Sequence, residues 1–162
     1  MMGITTKIRT AVTQDIPHIM KLAEMEYNMF ETELPFNHEL CEQYVFHTIT
    51  DSNSLGIVIV DARERPFGYL SGSIDFIDMT TEPTAITHHW FVNNPQSQYG
   101  TKNYGLELLA AFEGWAKIKN CRNIRVGIRM NPNRRRAYDR TFRTIGYEPN
   151  QVFYCKELKD GR

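Results

Sequence analysis

The 162-residue chain is short of cysteine, of long apolar runs and of net charge, and each shortage removes a class of protein. Cys41, Cys121 and Cys155 are odd in number, widely separated and without a Cys-x-x-Cys pair, which argues against a disulfide framework or a zinc site. No metal is expected. No apolar stretch approaches the roughly 20 residues that a membrane span requires, and the amino terminus lacks the basic segment and apolar run of a secretory signal. These absences predict a soluble, cytoplasmic protein. With 41% hydrophobic and 23% charged residues the composition is that of a folded chain rather than a disordered or collagen-like one. The length suits one domain, which we place at residues 7–160 after a short tail at 1–6.

Lysine and arginine together number 19, as do aspartate and glutamate, yet the balance hides two opposed blocks. From Asp15 to Glu42 there are seven acidic residues (Asp15, Glu24, Glu26, Glu31, Glu33, Glu39, Glu42) against Lys21 alone. That block attracts cations. From Lys117 to Arg143 there are ten basic residues, including Arg134, Arg135, Arg136, Arg140 and Arg143, against Asp139 alone. That block attracts phosphates. The bland alternative is two solvated helix faces.

The hydrophobic period alternates between that of strands and that of helices, with no internal repeat. Lys7 to Val12 reads as a strand. Thr13 or Asp15 then caps a helix whose apolar positions are Ile16, Ile19, Met20, Ala23, Tyr27 and Phe30. Pro35 breaks it, and Glu39 to Ile49 forms a second helix with Leu40, Tyr44, Phe46 and Ile49 available for burial. Ile57 to Val60 and Phe67 to Ile77 read as an antiparallel hairpin, with bulges expected at Gly68 and Gly72. Ala85 to Val92 is the fourth strand, and Tyr104 to Lys119 an amphipathic helix buried through Leu108, Leu109, Phe112, Trp115 and Ala116. Ile124 to Met130 is a strand, Arg134 to Thr144 a basic helix ended by Gly146, and Gln151 to Leu158 the last strand.

That order, β-α-α-β-β-β-α-β-α-β, resembles the GNAT acetyltransferases, which acetylate amines with acetyl-coenzyme A. The resemblance spans nearly the whole chain. It rests on Ile8-Arg9-Thr10-Ala11, on Phe91-Val92-Asn93-Asn94-Pro95, on Gly105-Leu106-Glu107-Leu108-Leu109 and on Phe142-Arg143-Thr144-Ile145-Gly146-Tyr147. It implies an α/β fold with a mixed, mostly antiparallel sheet that splays after the fourth strand. It also implies that Phe91 and Val92 present backbone groups to the pantetheine arm. The phosphate loop of the family registers here as Gly100-Thr101-Lys102-Asn103-Tyr104-Gly105. Amides at a helix amino terminus form a cradle for pyrophosphate. Asn103 stands in place of a glycine and tolerates the left-handed conformation that glycine would adopt. Lys102 adds charge, and arginines such as Arg136 lie near the phosphates in the family arrangement.

Acetyl transfer to an amine needs a neutral nucleophile, a polarised carbonyl and a proton for the leaving thiolate. By the resemblance, a backbone amide of Phe91 or Val92 polarises the carbonyl. The tyrosine that often meets the thiolate is replaced by Phe142, so either water or Tyr138, one turn earlier, supplies the proton. For the base, the fourth strand carries His88 and His89; alternation puts them on opposite faces, and one of them faces the cleft. Asp75 and Asp78 are weaker candidates. The first two helices wall the acceptor site in the family, and here they bring Glu24, Tyr27, Glu31, Glu33 and Glu39, a field that suits a cationic acceptor, whether a small-molecule amine or a protein amino group. A homodimer is compatible with such a fold. Two rivals stand beside the enzyme: a GNAT-fold protein that binds acyl-coenzyme A or a partner with little or no catalysis, and a nucleic-acid module on the Arg134–Arg143 helix, which lacks any recognised motif.

Overall fold

The computed structural model describes residues 6–30, 34–77, 80–93, 103–128 and 135–150. Two compact units divide the chain, Met1–Ile128 and Arg129–Arg162. In the first unit the elements are β1 (Lys7–Thr10), a 3-10 turn (Thr13–Asp15), α1 (Ile16–Asn28), α2 (His38–Thr50), β2 (Ser54–Val60), β3 (Pro66–Asp75), β4 (Thr84–Val92), α3 (Tyr104–Ile118) and β5 (Asn123–Arg125). The strands form one mixed sheet in the order β1-β2-β3-β4-β5, antiparallel except for the β4–β5 pair. The second unit holds α4 (Arg135–Thr144). The expected strand Gln151 to Leu158, the end of the strand expected to reach Met130, and Arg134 lie outside the described residues.

The sheet buries both faces. Val58, Val60 and Tyr69 share one face and pack with Ile19, Leu22 and Ala23 of α1 and Val45 of α2. The alternate residues Ile57, Ile59 and Leu70 turn to the opposite face, where α3 packs on β2, β3 and β4 through Leu108, Leu109, Phe112 and Ala116. Each of the buried Val, Leu, Ile and Phe side chains contributes roughly 1.5–3 kcal/mol of transfer free energy.

Local signals account for the helix ends. Pro17 sits in the first turn of α1, where a missing N–H costs nothing. The Asn37 side chain accepts the Leu40 amide at 2.9 Å and starts α2. Asn103 does the same for α3 through the Leu106 amide at 3.2 Å. At the first turn Asp15 is buried, receiving both guanidinium nitrogens of Arg9 at 2.6 and 3.0 Å and the Val12 amide at 2.9 Å. α4 ends in a Schellman motif: the Tyr147 amide donates to the Phe142 carbonyl, the Gly146 amide to that of Arg143, and Gly146 adopts φ +90°. The rings of Phe142 and Tyr147 meet edge to face at 5.7 Å, the apolar contact that accompanies such a cap.

Two buried faces differ from expectation. On α2 Tyr44 and Ile49 pack inward as expected, joined by Cys41, Val45 and Thr48, while Leu40 and Phe46 are exposed. Thr48 is tolerated inside because its hydroxyl donates to the Val45 carbonyl at 2.8 Å. On α3 Tyr104 is buried against Phe67, with ring centroids 5.4 Å apart, and Trp115 is only partly covered.

Candidate active site

The site centres on β4. Up to Ile86 this strand pairs with β5, from Thr84↔Asn123 to Ile86↔Arg125. Beyond that, among the described residues, the link is a side chain: the Thr87 hydroxyl accepts the Gly127 amide at 3.2 Å. Among the described residues the β4–β5 ladder thus ends at Ile86, and the strands part there. On its other edge β4 stays in register with β3, and the Asn93 amide donates to the Phe67 carbonyl at 2.8 Å. Antiparallel alternation from that bond commits the amides of Phe91 and His89 to β3 and turns the backbone groups of Trp90 and Val92 toward the β5 side. Of the two residues expected to offer an amide there, Val92 is the one whose amide faces away from β3; the Phe91 side chain packs on the α1–α2 core.

A bulge decides the histidines. Ser71 pairs with His89 but Gly72 pairs with Thr87, leaving His88 as an extra residue on β4. Strict alternation would have separated His88 and His89; the bulge instead brings both imidazoles edge-on to Tyr44 of α2, at centroid separations of 6.4 and 5.1 Å. His88 Nε2 lies 2.7 Å from the Ser73 hydroxyl oxygen. Burial lowers the His88 titration below its ordinary value, the neighbouring His89 lowers it further, and Asp75 opposes them.

His89 stands at a second polar cluster. Its Nδ1 is 3.7 Å from Oε2 of Glu26 on α1, the same oxygen that accepts the Tyr69 hydroxyl at 2.9 Å. The Tyr69 ring lies 6.4 Å from the imidazole. The Tyr44 hydroxyl and Ser71 Oγ are 3.3 Å apart. Burial raises the Tyr44 phenol, and burial together with Glu26 raises both the Tyr69 phenol and the Cys41 thiol, so all three stay protonated near neutral pH. The sequence offers Glu26 only as part of the acidic block and Tyr44 only as a core position, and it points to none of Tyr69, Ser71 and Ser73. The available signal for Glu26 was its place at the end of the stripe Ile19, Leu22, Ala23, where a carboxylate is costly unless partnered.

The other expected site residues fall elsewhere. Glu24 pairs with His38 at 3.4 Å, and the Tyr27 hydroxyl donates to the Leu34 carbonyl with its ring 5.4 Å from Phe36, so both brace the α1–α2 connection. Glu31, Glu33, Asp78, Gly100, Thr101 and Lys102 lie outside the described residues. Asn103 is not left-handed: at φ −96° and ψ 86° its side chain is spent on capping α3. Gly105 packs closely, since a Cβ there would lie 3.2 Å from the Trp90 indole, tighter than ordinary contact. Tyr104 gives its ring to the core; its amide and that of Gly105 find no acceptor within α3 itself. Tyr138 and Phe142 sit one turn apart on α4, as does Arg136 near its start. No group of three potential metal ligands occurs among the described residues, and none of their helices is long and apolar enough to cross a membrane.

This arrangement, a mixed five-stranded sheet with paired helices on one face, α3 on the other and strands parting after the fourth, is the GNAT acetyltransferase fold. Aminoglycoside N-acetyltransferase AAC(6')-Iy in complex with CoA superposes with a TM-score of 0.72 at 16% identity, over 96% of this chain and 97% of that one. Aminoglycoside 6'-N-acetyltransferase AAC(6')-Ih from Acinetobacter baumannii gives 0.69 at 17% identity over 96% and 99%. AAC(6')-Iy in complex with the bisubstrate analogue CoA-S-monomethyl-acetylneamine gives 0.67 at 17% identity over 95% and 99%. No protein-family model and no curated protein sequence matches the chain. At these identities the likeness is one of fold.

Proposed function

We propose that the protein is an N-acetyltransferase that moves an acetyl group from acetyl-coenzyme A to a primary amine of a cationic acceptor, by direct attack in a ternary complex. The observation that carries this reading is the juxtaposition on β4. Backbone groups of Trp90 and Val92 turn toward the parting of the strands, while His89 stands at the helix face against a carboxylate. The first edge suits an extended thioester-bearing arm, and the second suits deprotonation of an amine.

In this reading the Val92 amide donates to the thioester oxygen and stabilises the charge that develops on it. The amine nitrogen attacks the carbonyl carbon, the C–S bond breaks and an amide forms. The proton lost by nitrogen passes to His89, directly or through water, and the thiolate takes one from Tyr138 or from water. The family's pyrophosphate loop registers at Gly100–Gly105, where the amides of Tyr104 and Gly105, with no acceptor inside α3, are the groups to receive it. Gly105 also lets backbone approach closely there. The acidic residues of α1 and α2 favour a cationic acceptor; an aminoglycoside-like analogue bound to AAC(6')-Iy is a small molecule of that chemistry.

The test is thermal denaturation with acetyl-coenzyme A, followed by an amine panel. Coenzyme at one hundred times its dissociation constant stabilises the native state by about 2.7 kcal/mol. An unmoved melting temperature at millimolar coenzyme would sink the assignment. Binding without transfer to any polyamine, aminoglycoside, lysine peptide or peptide amino terminus would instead favour the non-catalytic acyl-coenzyme A binder.

A further inference from the structure

We propose that Glu26 is a positioning residue for His89. Its carboxylate holds the imidazole in the tautomer that carries the proton on Nδ1, leaving the Nε2 lone pair to accept the proton of the acceptor amine. The inference rests on the acetyltransferase reading, and goes beyond it by assigning a residue on α1 that touches neither the thioester nor its carbonyl.

Three observations on separate elements converge. Glu26 lies on the inward stripe of α1 with its side chain only 17% exposed, so its charge is weakly screened and requires partners. Oε2 already accepts the Tyr69 hydroxyl at 2.9 Å, which fixes the carboxylate from the sheet side. The same oxygen lies 3.7 Å from Nδ1 of His89, a separation long for a hydrogen bond and short enough to tighten when the ring gains a proton. The His89 backbone is anchored opposite Ser71, and Tyr44 stands edge-on at 5.1 Å on the side of the ring that the helices cover.

The charged and titratable groups facing His89 support that assignment. Besides Glu26 they are His88 on β4, Tyr69 on β3 and Tyr44 on α2, with the Cys41 thiol of α2 beside Glu26. The phenols and the thiol stay protonated for the reasons given above, which leaves Glu26 as the negative charge of the set. A carboxylate accepts hydrogen bonds and donates none, so the neutral imidazole beside it must direct an N–H toward it.

The test uses Glu26→Gln, which keeps one oxygen for Tyr69 and removes the charge. Long-range proton–nitrogen spectra of the folded protein read the His89 tautomer above its titration, and steady-state kinetics read kcat with acetyl-coenzyme A and the best amine. We expect the Nδ1–H form to dominate in the wild type and to lose its dominance in Glu26→Gln, with kcat reduced about tenfold or more and coenzyme binding retained. In a His89→Asn background the same Glu26→Gln change should have under about twofold effect, because Glu26 acts through the ring. An unchanged tautomer, a kcat within twofold of wild type, or an undiminished effect in the His89→Asn background each overturns the assignment. An active wild type with an unmoved tautomer removes Glu26 alone; a wild type that transfers to no amine removes the acetyltransferase reading and the catalytic role of the pair with it. Should Glu26→Gln unfold, Tyr69→Phe with Glu26 intact must leave the tautomer on Nδ1, and a shift to Nε2 there refutes the geometry.

Discussion

Gly72 is the position where a single methyl group should do most damage. A Cβ on Gly72 would lie 2.4 Å from the Ile86 carbonyl oxygen and 2.6 and 2.7 Å from the Phe112 ring, against the 3.4 Å at which ordinary contact begins. Relief requires a movement of about 1 Å, and the carbonyl that must move belongs to the strand ladder, so it cannot swing aside as a flexible side-chain end would. Overpacking of this kind costs about 1–3 kcal/mol, and a backbone opponent puts Gly72→Ala at the upper end. For a chain of this length about 3 kcal/mol lowers the melting temperature by roughly 6–12 °C. Gly114→Ala is the control of opposite sign: no heavy atom lies within 4 Å of its Cβ position on α3, so the gain in helix propensity should raise stability by about 0.5–1 kcal/mol. Gly72 is also next to the bulge, facing Thr87, so the same displacement should disturb His88 and His89 and lower kcat. Differential scanning calorimetry on the three proteins decides. A Gly72→Ala melting temperature within about 1 °C of wild type would refute the packing argument, since no rearrangement of Phe112 alone relieves the contact with Ile86.

Asp15→Asn should cost about 1–3 kcal/mol by stripping Arg9 of its carboxylate. Burial raises the Asp15 carboxyl, but Arg9 and the Val12 amide outweigh it and hold the group below its ordinary value; this stability is present above about pH 4 and is lost as pH falls, so acid melts should be flatter for the variant. His88 titrates below its unfolded value, so the unfolded chain takes up the proton first and stability falls as pH drops below about 6.5; His88→Gln should reduce the difference between urea midpoints at about pH 7.5 and 5.5, and an equal difference in both proteins would count against the shift. Tyr138→Phe should slow the chemical step by about ten- to a thousandfold if that phenol protonates the thiolate, as single-turnover kinetics would show, and unchanged rates would leave water as the donor. Phe142→Tyr should raise turnover where water now serves, provided the added oxygen leaves the Tyr147 ring contact intact, which a thermal melt checks.

Much of this fold was legible wherever one local rule acts alone. Leu108, Leu109, Phe112 and Ala116 recur at helical spacing and do bury together, and Gly146 ends α4 because only glycine readily takes the φ that the Schellman motif demands. The Phe142–Tyr147 segment, one of those that suggested the family, owes part of its pattern to this cap, since its first and last rings are the ones that meet across it. On α2 hydrophobicity favours Leu40 and Phe46, which are exposed, whereas the stripe that meets the sheet joins the expected Tyr44 with Cys41 and Thr48, and the hydroxyls of Tyr44 and Thr48 find partners in the fold. Sequence periodicity cannot see those partners.

The site was harder to read than the fold for a related reason: each of its parts depends on contacts distant in the chain. Gly72 admits both the Ile86 carbonyl and the Phe112 ring, and the β3–β4 register shifts beside it; the extra residue happens to be His88, so two adjacent histidines share a face that alternation would divide between them. No feature of Thr87-His88-His89 alone announces that slip. Glu26 was counted as one of seven acidic residues making a field, yet its position three residues after Ala23 and four after Leu22 puts it on the buried stripe rather than the solvated one. A field argument treats carboxylates as interchangeable. Helical phase does not, and it separates Glu24, paired with His38 and half-exposed, from Glu26, which meets Tyr69 and His89 across the sheet. The distinction carries a direct consequence for the acceptor argument: Glu24→Gln should weaken attraction of a cationic amine in a salt-dependent manner, whereas Glu26→Gln should lower kcat at every ionic strength. Equal salt dependence in the two variants would return Glu26 to the general field.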